Sequence, residues 1–239
     1  MGAQGLDPEV GTPDTPGESI AESEMPGRWP ARPRRHGGAP HPLRLPGGEG
    51  GIEPAPIEWH IHFRKVPETM IERRNLHAFK GSPLVLEGSQ TVQVGDKAPN
   101  FVAYKSLVDR VQLSDFAGKT VIISAVPSID TPVCSNQTAR FNKDVATLAG
   151  DIVLLTISKD LPFAHSRWCG AHEIKDAVML SDAREGDFAC KYGLRIREFG
   201  LLARAVIVIG KDGIVKHFQI VPEMSAEPDY ASALAALKS

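Results

Sequence analysis

Cysteine is scarce in this chain, with three among 239 residues, at Cys134, Cys169 and Cys190. An odd number without a secretory leader argues against a structural disulfide framework and leaves chemistry as the reason for any cysteine in an unusual setting. Long apolar runs are also missing, so no segment reads as a membrane span. The N-terminus lacks the charged stretch and apolar block of a signal peptide, and Arg34-Arg35 is followed by Gly and Pro rather than by apolar residues. Neither charge sign dominates: residues 76–239 carry 18 Lys+Arg against 18 Asp+Glu, and the net charge is -2. Binding of nucleic acid through a basic surface is therefore not expected. A cytoplasmic location, with no membrane or nucleic-acid partner, follows as the expectation.

What is abundant is unevenly placed. Residues 1–56 hold 11 of the 19 Pro and 11 of the 22 Gly. They show no hydrophobic periodicity and too little apolar surface to offset the entropy of ordering, so residues 1–75 are expected to form a disordered low-complexity extension. Two origins remain open for it: a genuine tail, or a translation assigned upstream of a true start at Met70. The ordered domain is expected over residues 76–239.

Within it, His77 to Gly88 reads as a hairpin around a Gly81-Ser82-Pro83 turn. The Val/Ile-rich runs Thr120–Val126 and Ile152–Ser158 read as buried strands, separated by a helical pattern from about Thr131 to Ala149. Helices are expected after Pro162 and over roughly Glu185 to Tyr192. A second hairpin, 205–209 and 214–220, is expected to turn tightly at Asp212-Gly213. A closing helix carries Tyr230, Leu234 and Leu237 at helical spacing, with Pro228 expected at its first position. A parallel βαβ unit, a helix, an antiparallel hairpin and a terminal helix is the order of a thioredoxin-like α/β domain.

The chemistry concentrates in Pro127-Ser128-Ile129-Asp130-Thr131-Pro132-Val133-Cys134, where the first buried strand gives way to the long helix. With Thr131 as N-cap and Pro132 as N1, Cys134 falls at N3, beside unpaired N–H donors and the positive end of the helix dipole. Both favour the thiolate, the nucleophilic form. The Thr131 hydroxyl has two candidate roles: capping the Cys134 N–H, or turning toward the sulfur.

Three segments together resemble the bacterial thiol peroxidase family, the atypical two-cysteine peroxiredoxins. They are the stretch ending at Cys134, Ser166-Arg167-Trp168-Cys169-Gly170, and Leu202-Ala203-Arg204-Ala205-Val206-Ile207-Val208-Ile209. The similarity runs from about Phe79 through Tyr230. It implies a peroxiredoxin-type thioredoxin fold with an N-terminal β-hairpin, and Cys134 as peroxidatic nucleophile in a pocket completed by Pro127, Thr131 and Arg204. It further implies Cys169 as the resolving thiol, an intramolecular disulfide, and recycling by thioredoxin. Hydrogen peroxide and organic hydroperoxides as substrates and a homodimer are implied too, with no cofactor and no metal. Each role is physically sensible: a permanently charged guanidinium at Arg204 supports the thiolate and binds peroxide oxygen, and Pro127, lacking an N–H, shields the sulfur from water. Both cysteines fall in helix-forming segments, so joining them requires local unwinding around one or both.

Other signals carry less. Cys190 reads as a small core residue. His60-Ile61-His62 lacks further ligands for a metal, His165, His172 and His217 read as surface or satisfied groups, and the sequon at Asn136 falls on the catalytic helix. A general disulfide oxidoreductase is disfavoured because the residue three beyond Cys134 is Gln137. A redox-inactive binding module would have no need of Pro127, Thr131, Cys134 and Arg204 together.

Overall fold

A computed structural model describes residues 70–148, 150–174 and 178–238. Of the extension expected to be disordered over 1–75, residues 1–69, including His60 and His62, lie outside the described residues. Strand β1 (Ile71–Arg73) precedes the expected domain start and pairs antiparallel with β4 (Leu86–Gly88). Between them β2 (Ala78–Phe79) and β3 (Ser82–Pro83) form the hairpin. Its turn is Lys80-Gly81, both with positive φ (50° and 77°), instead of Gly81-Ser82-Pro83, and Leu86–Gly88 belongs to a different sheet. The reason is conformational: two consecutive left-handed residues match the strand twist of a two-residue hairpin, and Gly supplies one of them without strain.

The central sheet has seven strands in the order β12-β11-β7-β8-β9-β5-β6. These are β5 (Val102–Tyr104), β6 (Arg110–Gln112), β7 (Thr120–Ala125), β8 (Ile152–Ser158), β9 (Val178–Ser181), β11 (Ala205–Ile209) and β12 (Val215–Ile220), with β10 (Arg195–Ile196) lying beside β4 instead. Strands β7, β8 and β9 run parallel, while β11 pairs antiparallel with β7 and β12. Helix α1 (Pro132–Ala146) links β7 to β8, and α2 (Pro162–Ala171) lies between β8 and β9. Helix α3 (Asp187–Tyr192) follows β9, and α4 (Tyr230–Ala235) follows β12.

Parallel strands covered on both faces need apolar residues at successive positions, which is why β7 and β8 read as unbroken Val/Ile/Leu runs. Val121, Ile123 and Leu155 face one core with Phe101, Phe188 and Tyr192. Ile122, Leu154, Val206 and Val208 face the other, against Phe141 of α1 and Tyr230 of α4. Strands β5, β6 and β9, of three or four residues each, are too short to show a period in the sequence.

Two local expectations are corrected. The β11–β12 connection is a three-residue loop closed by Gly213 (φ 77°), with Gly210 and Ile214 hydrogen-bonded across it. A bulge between Val208 and Ile209 absorbs the extra residue. At α4 the N-cap is Asp229, whose carboxylate accepts the Ser232 N–H at 3.0 Å, so Pro228 lies before the cap and not at N1. The side chain that can satisfy an orphan donor takes the cap position.

Candidate active site

The β7–α1 junction builds the site. Thr131 is in extended conformation as N-cap and Pro132 is N1, which places Cys134 at N3. Cys134, Gln137, Thr138 and Phe141 then form the buried stripe of α1 at helical spacing, and Cys134 is fully buried. Phe141 anchors the helix against Tyr230, with ring centroids 4.9 Å apart. The Thr138 hydroxyl donates to the Cys134 carbonyl at 2.9 Å, tightening the first turn.

Across the β7–β11 pairing, Arg204 directly precedes β11 and comes to face the sulfur: Nη2 lies 3.3 Å from Cys134 Sγ. Arg204 is buried, 1% exposed. Nη1–H donates to Gln137 Oε1 at 2.7 Å, while Nε–H and Nη2–H both donate to the Met224 carbonyl at 3.0 and 2.8 Å. Gln137 is oriented in turn by donating to Ser124 Oγ of β7 at 2.8 Å. These oxygen acceptors are neutral, so a buried cation sits here against two neutral acceptors and one sulfur. Burying a cation without a compensating anion is costly, and a thiolate at Cys134 is the group placed to compensate it.

Pro127 is buried in the loop between β7 and α1. Thr131 is exposed, and its hydroxyl does neither of the two jobs open to it: it donates to the Ser128 carbonyl at 3.2 Å and makes no capping hydrogen bond. The loop curls back on itself, so the nearest acceptor is local. Asp160, just before α2, holds that loop by accepting the Ile129 N–H at 2.7 Å and the Ser128 hydroxyl at 2.8 Å.

Cys169 stands on the last turn of α2, half-buried beside the cluster of Ile129, Trp168 and Met179. Burial pushes its thiol above the ordinary cysteine value. Two contacts tie α2 to the segment around Cys134: Arg167 pairs with Asp130 at 2.6 Å, and Trp168 Nε1–H donates to Ser135 Oγ at 2.8 Å. Cys134, Cys169 and Cys190 are all free thiols.

Residues the sequence reading passed over are Gln137, Ser124, Asp160 and the Met224 carbonyl. Gln137 alone had a legible signal, three residues after Cys134 on the same helix face. His165 also departs from expectation, being 2% exposed. Ser158 Oγ donates to Asp160 and lies 2.7 Å from His165 Nε2, which places the proton on Nε2 and leaves Nδ1 buried without a partner.

Residues 93–234 match the family described as Redoxin. The chain is 45% identical over 161 residues to the thiol peroxidase of Streptococcus pneumoniae, spanning 67% of this chain and 98% of that protein. The chain belongs to the thiol peroxidase family. The same identity over 161 residues relates it to the thiol peroxidase of Bacillus subtilis, covering 95% of that protein. Among solved structures, a peroxiredoxin-like protein from Aquifex aeolicus is similar with a TM-score of 0.64 and 35% identity, over 71% of this chain and 97% of that one. As a member of the thiol peroxidase family the chain is a peroxiredoxin-type peroxidase with a thioredoxin-like fold. Among the described residues no helix is long and apolar enough to cross a membrane.

Proposed function

We propose that Cys134 is the peroxidatic nucleophile, with hydrogen peroxide and organic hydroperoxides as substrates. The observation that carries this is the 3.3 Å approach of Arg204 Nη2 to a fully buried sulfur at helix position N3. The thiolate attacks one peroxide oxygen, the O–O bond breaks, and the leaving oxygen takes a proton to depart as water or an alcohol. Arg204 and the first-turn N–H groups are placed to stabilise charge developing on that oxygen. In this reading Pro127, in the loop that leads into α1, and Thr131, its N-cap residue, complete the pocket. Cys134 is left as a sulfenic acid.

Cys169 then resolves it. Its thiolate attacks the Cys134 sulfur, an S–S bond forms as the S–O bond breaks, and the sulfenic oxygen takes a proton and leaves as water. A disulfide needs Cα atoms within about 7 Å and Cβ–S vectors that point toward each other. Cys134 is fully buried and both residues lie in helices, so α1, α2 or both unwind locally in this step. A dithiol partner, thioredoxin, returns the disulfide to two thiols by exchange. The enzyme acts in the cytoplasm as a homodimer.

One equivalent of hydrogen peroxide added to the reduced protein, followed by disulfide mapping, tests the scheme. A Cys134–Cys169 link within one chain, absent in Cys134→Ser, is the expected result. A Cys134 that stays reduced would overturn it, and a Cys134 that stops at sulfenic or sulfinic acid would remove Cys169 from the resolving role.

A further inference from the structure

Besides its bond to Gln137, Arg204 is held at two of its nitrogens by one backbone carbonyl. Two of its nitrogens donate to Met224 O, at 3.0 and 2.8 Å, and one of these same nitrogens faces Cys134 Sγ. Met224 lies beyond the end of β12, outside any strand. A loop carbonyl is a poor fixed point unless something holds it.

The N-terminal hairpin does. Met224 N–H donates to the Ala78 carbonyl at 2.8 Å, and Ala78 N–H donates to the Pro222 carbonyl at 2.7 Å. His77 Nδ1 lies 2.6 Å from the Val221 carbonyl. Between these contacts, the Glu223 carboxylate accepts the N–H groups of Lys80 and Gly81 at 3.1 and 3.2 Å. It also accepts the Ser225 N–H at 3.2 Å and the Ser225 hydroxyl at 2.8 Å. Four donors on one carboxylate hold its pKa down to about 2, with the Ser225 hydroxyl the largest contributor. The positive φ values at Lys80 and Gly81 let both turn amides converge on that one group.

We propose that Glu223 is a positioning residue of the peroxidase: by clamping the Lys80-Gly81 turn it fixes the Met224 carbonyl, and through that carbonyl the angle at which Arg204 meets Cys134. The hairpin thereby belongs to the catalytic apparatus. This rests on the reading of Cys134 and Arg204 as the peroxidatic pair. A misaimed guanidinium keeps its charge but loses its line to the sulfur and to the leaving oxygen, and small displacements of this kind cost rate steeply.

The test uses the full chain as Glu223→Ala and Glu223→Gln, with Arg204→Lys and Cys134→Ser alongside. Three quantities are read: the second-order rate with hydrogen peroxide, its pH profile, and amide exchange at Lys80 and Gly81. Glu223→Ala is expected to exchange faster at both amides, to react about tenfold more slowly, and to need higher pH for its half-maximal rate. Glu223→Gln keeps one carbonyl acceptor and falls between. If the turn amides exchange faster while rate and pH profile stay at the parent values, the positioning role is wrong. Exchange that does not change would refute the clamp itself. Should Arg204→Lys and Cys134→Ser leave the rate untouched, it is the peroxidatic assignment that fails, irrespective of Glu223. If Glu223→Ala does not fold, the intermediate variant decides alone by the same criteria.

Discussion

Arg204 and Cys134 are 70 residues apart in the chain, and their side chains meet at 3.3 Å inside the protein, where the guanidinium also spans Gln137 and the Met224 carbonyl. The sulfur is thus one of three acceptors around a single guanidinium, and the other two are neutral oxygens.

Replacing Arg204 by Lys keeps the charge but cannot reach the sulfur, Gln137 and Met224 together, because an ammonium is a point charge and not a planar fork. A drop of about a hundredfold in the rate with hydrogen peroxide is expected, of the size found when a preorganised donor is removed. Stopped-flow mixing of the reduced protein with peroxide measures it. A drop of less than about threefold would remove Arg204 from the transition state.

Gln137→Ala should slow the same step by a smaller factor, about tenfold, since it frees one edge of the guanidinium and leaves Ser124 without its donor. Gln137→Met, similar in length but unable to accept well, should behave like Ala. A fast Gln137→Met variant would show that side-chain bulk, and not the hydrogen bond, is what matters.

Resolution by Cys169 is expected to accelerate with pH. Burial raises its thiol above the ordinary cysteine value, so at neutral pH only a small fraction is thiolate, and that fraction grows about tenfold per pH unit until the pKa is reached. Disulfide formation from pre-formed Cys134 sulfenic acid, followed from pH 7 to 9 by rapid quench, reads this directly. A flat profile would mean that unwinding, not deprotonation, limits the step.

The contacts of α2 give an independent handle on unwinding. Arg167 and Asp130 are both largely exposed, so their pair is worth at most about 1 kcal/mol. Arg167→Ala is therefore expected to speed disulfide formation by up to about fivefold, the equivalent of that energy, and to lower the yield of sulfinic acid at high peroxide. An unchanged rate would show that this pair does not hold back disulfide formation.

Stability should fall on the acid side. Desolvation lowers the His165 pKa below its ordinary 6.5, and the same cause lowers His77 and His217. The unfolded chain takes up protons as pH drops through 6.5 while the folded protein does not. The folded state therefore loses stability progressively below that pH, until the buried rings themselves protonate. Above pH 7 the three rings are neutral in both states and contribute no slope. His165→Gln, which cannot titrate, should show a shallower decline of Tm between pH 7 and 5 than the parent. Equal slopes would sink the assignment.

Local order was written in neighbouring residues. The Val/Ile runs of β7 and β8 declare strands covered on both faces, and Thr131-Pro132 declares a helix start that puts Cys134 at N3, because proline's fixed φ and the cap position act within a few residues. Short strands such as Ile71–Arg73 and Val178–Ser181 carry too few residues for a period and owe their state to pairing partners. The Thr131 hydroxyl could not be placed either, since several acceptors lay within reach and loop curvature chose Ser128. By itself, then, the sequence determined the helix start that places Cys134 at N3 and the α/β core around it. Only the tertiary structure decided what surrounds the sulfur: the β7–β11 register that delivers Arg204, the Gln137 rotamer that receives it, and the Met224 carbonyl that aims it. A backbone carbonyl has no residue signature, and its place is set by hydrogen bonds to a hairpin more than 140 residues away in the chain.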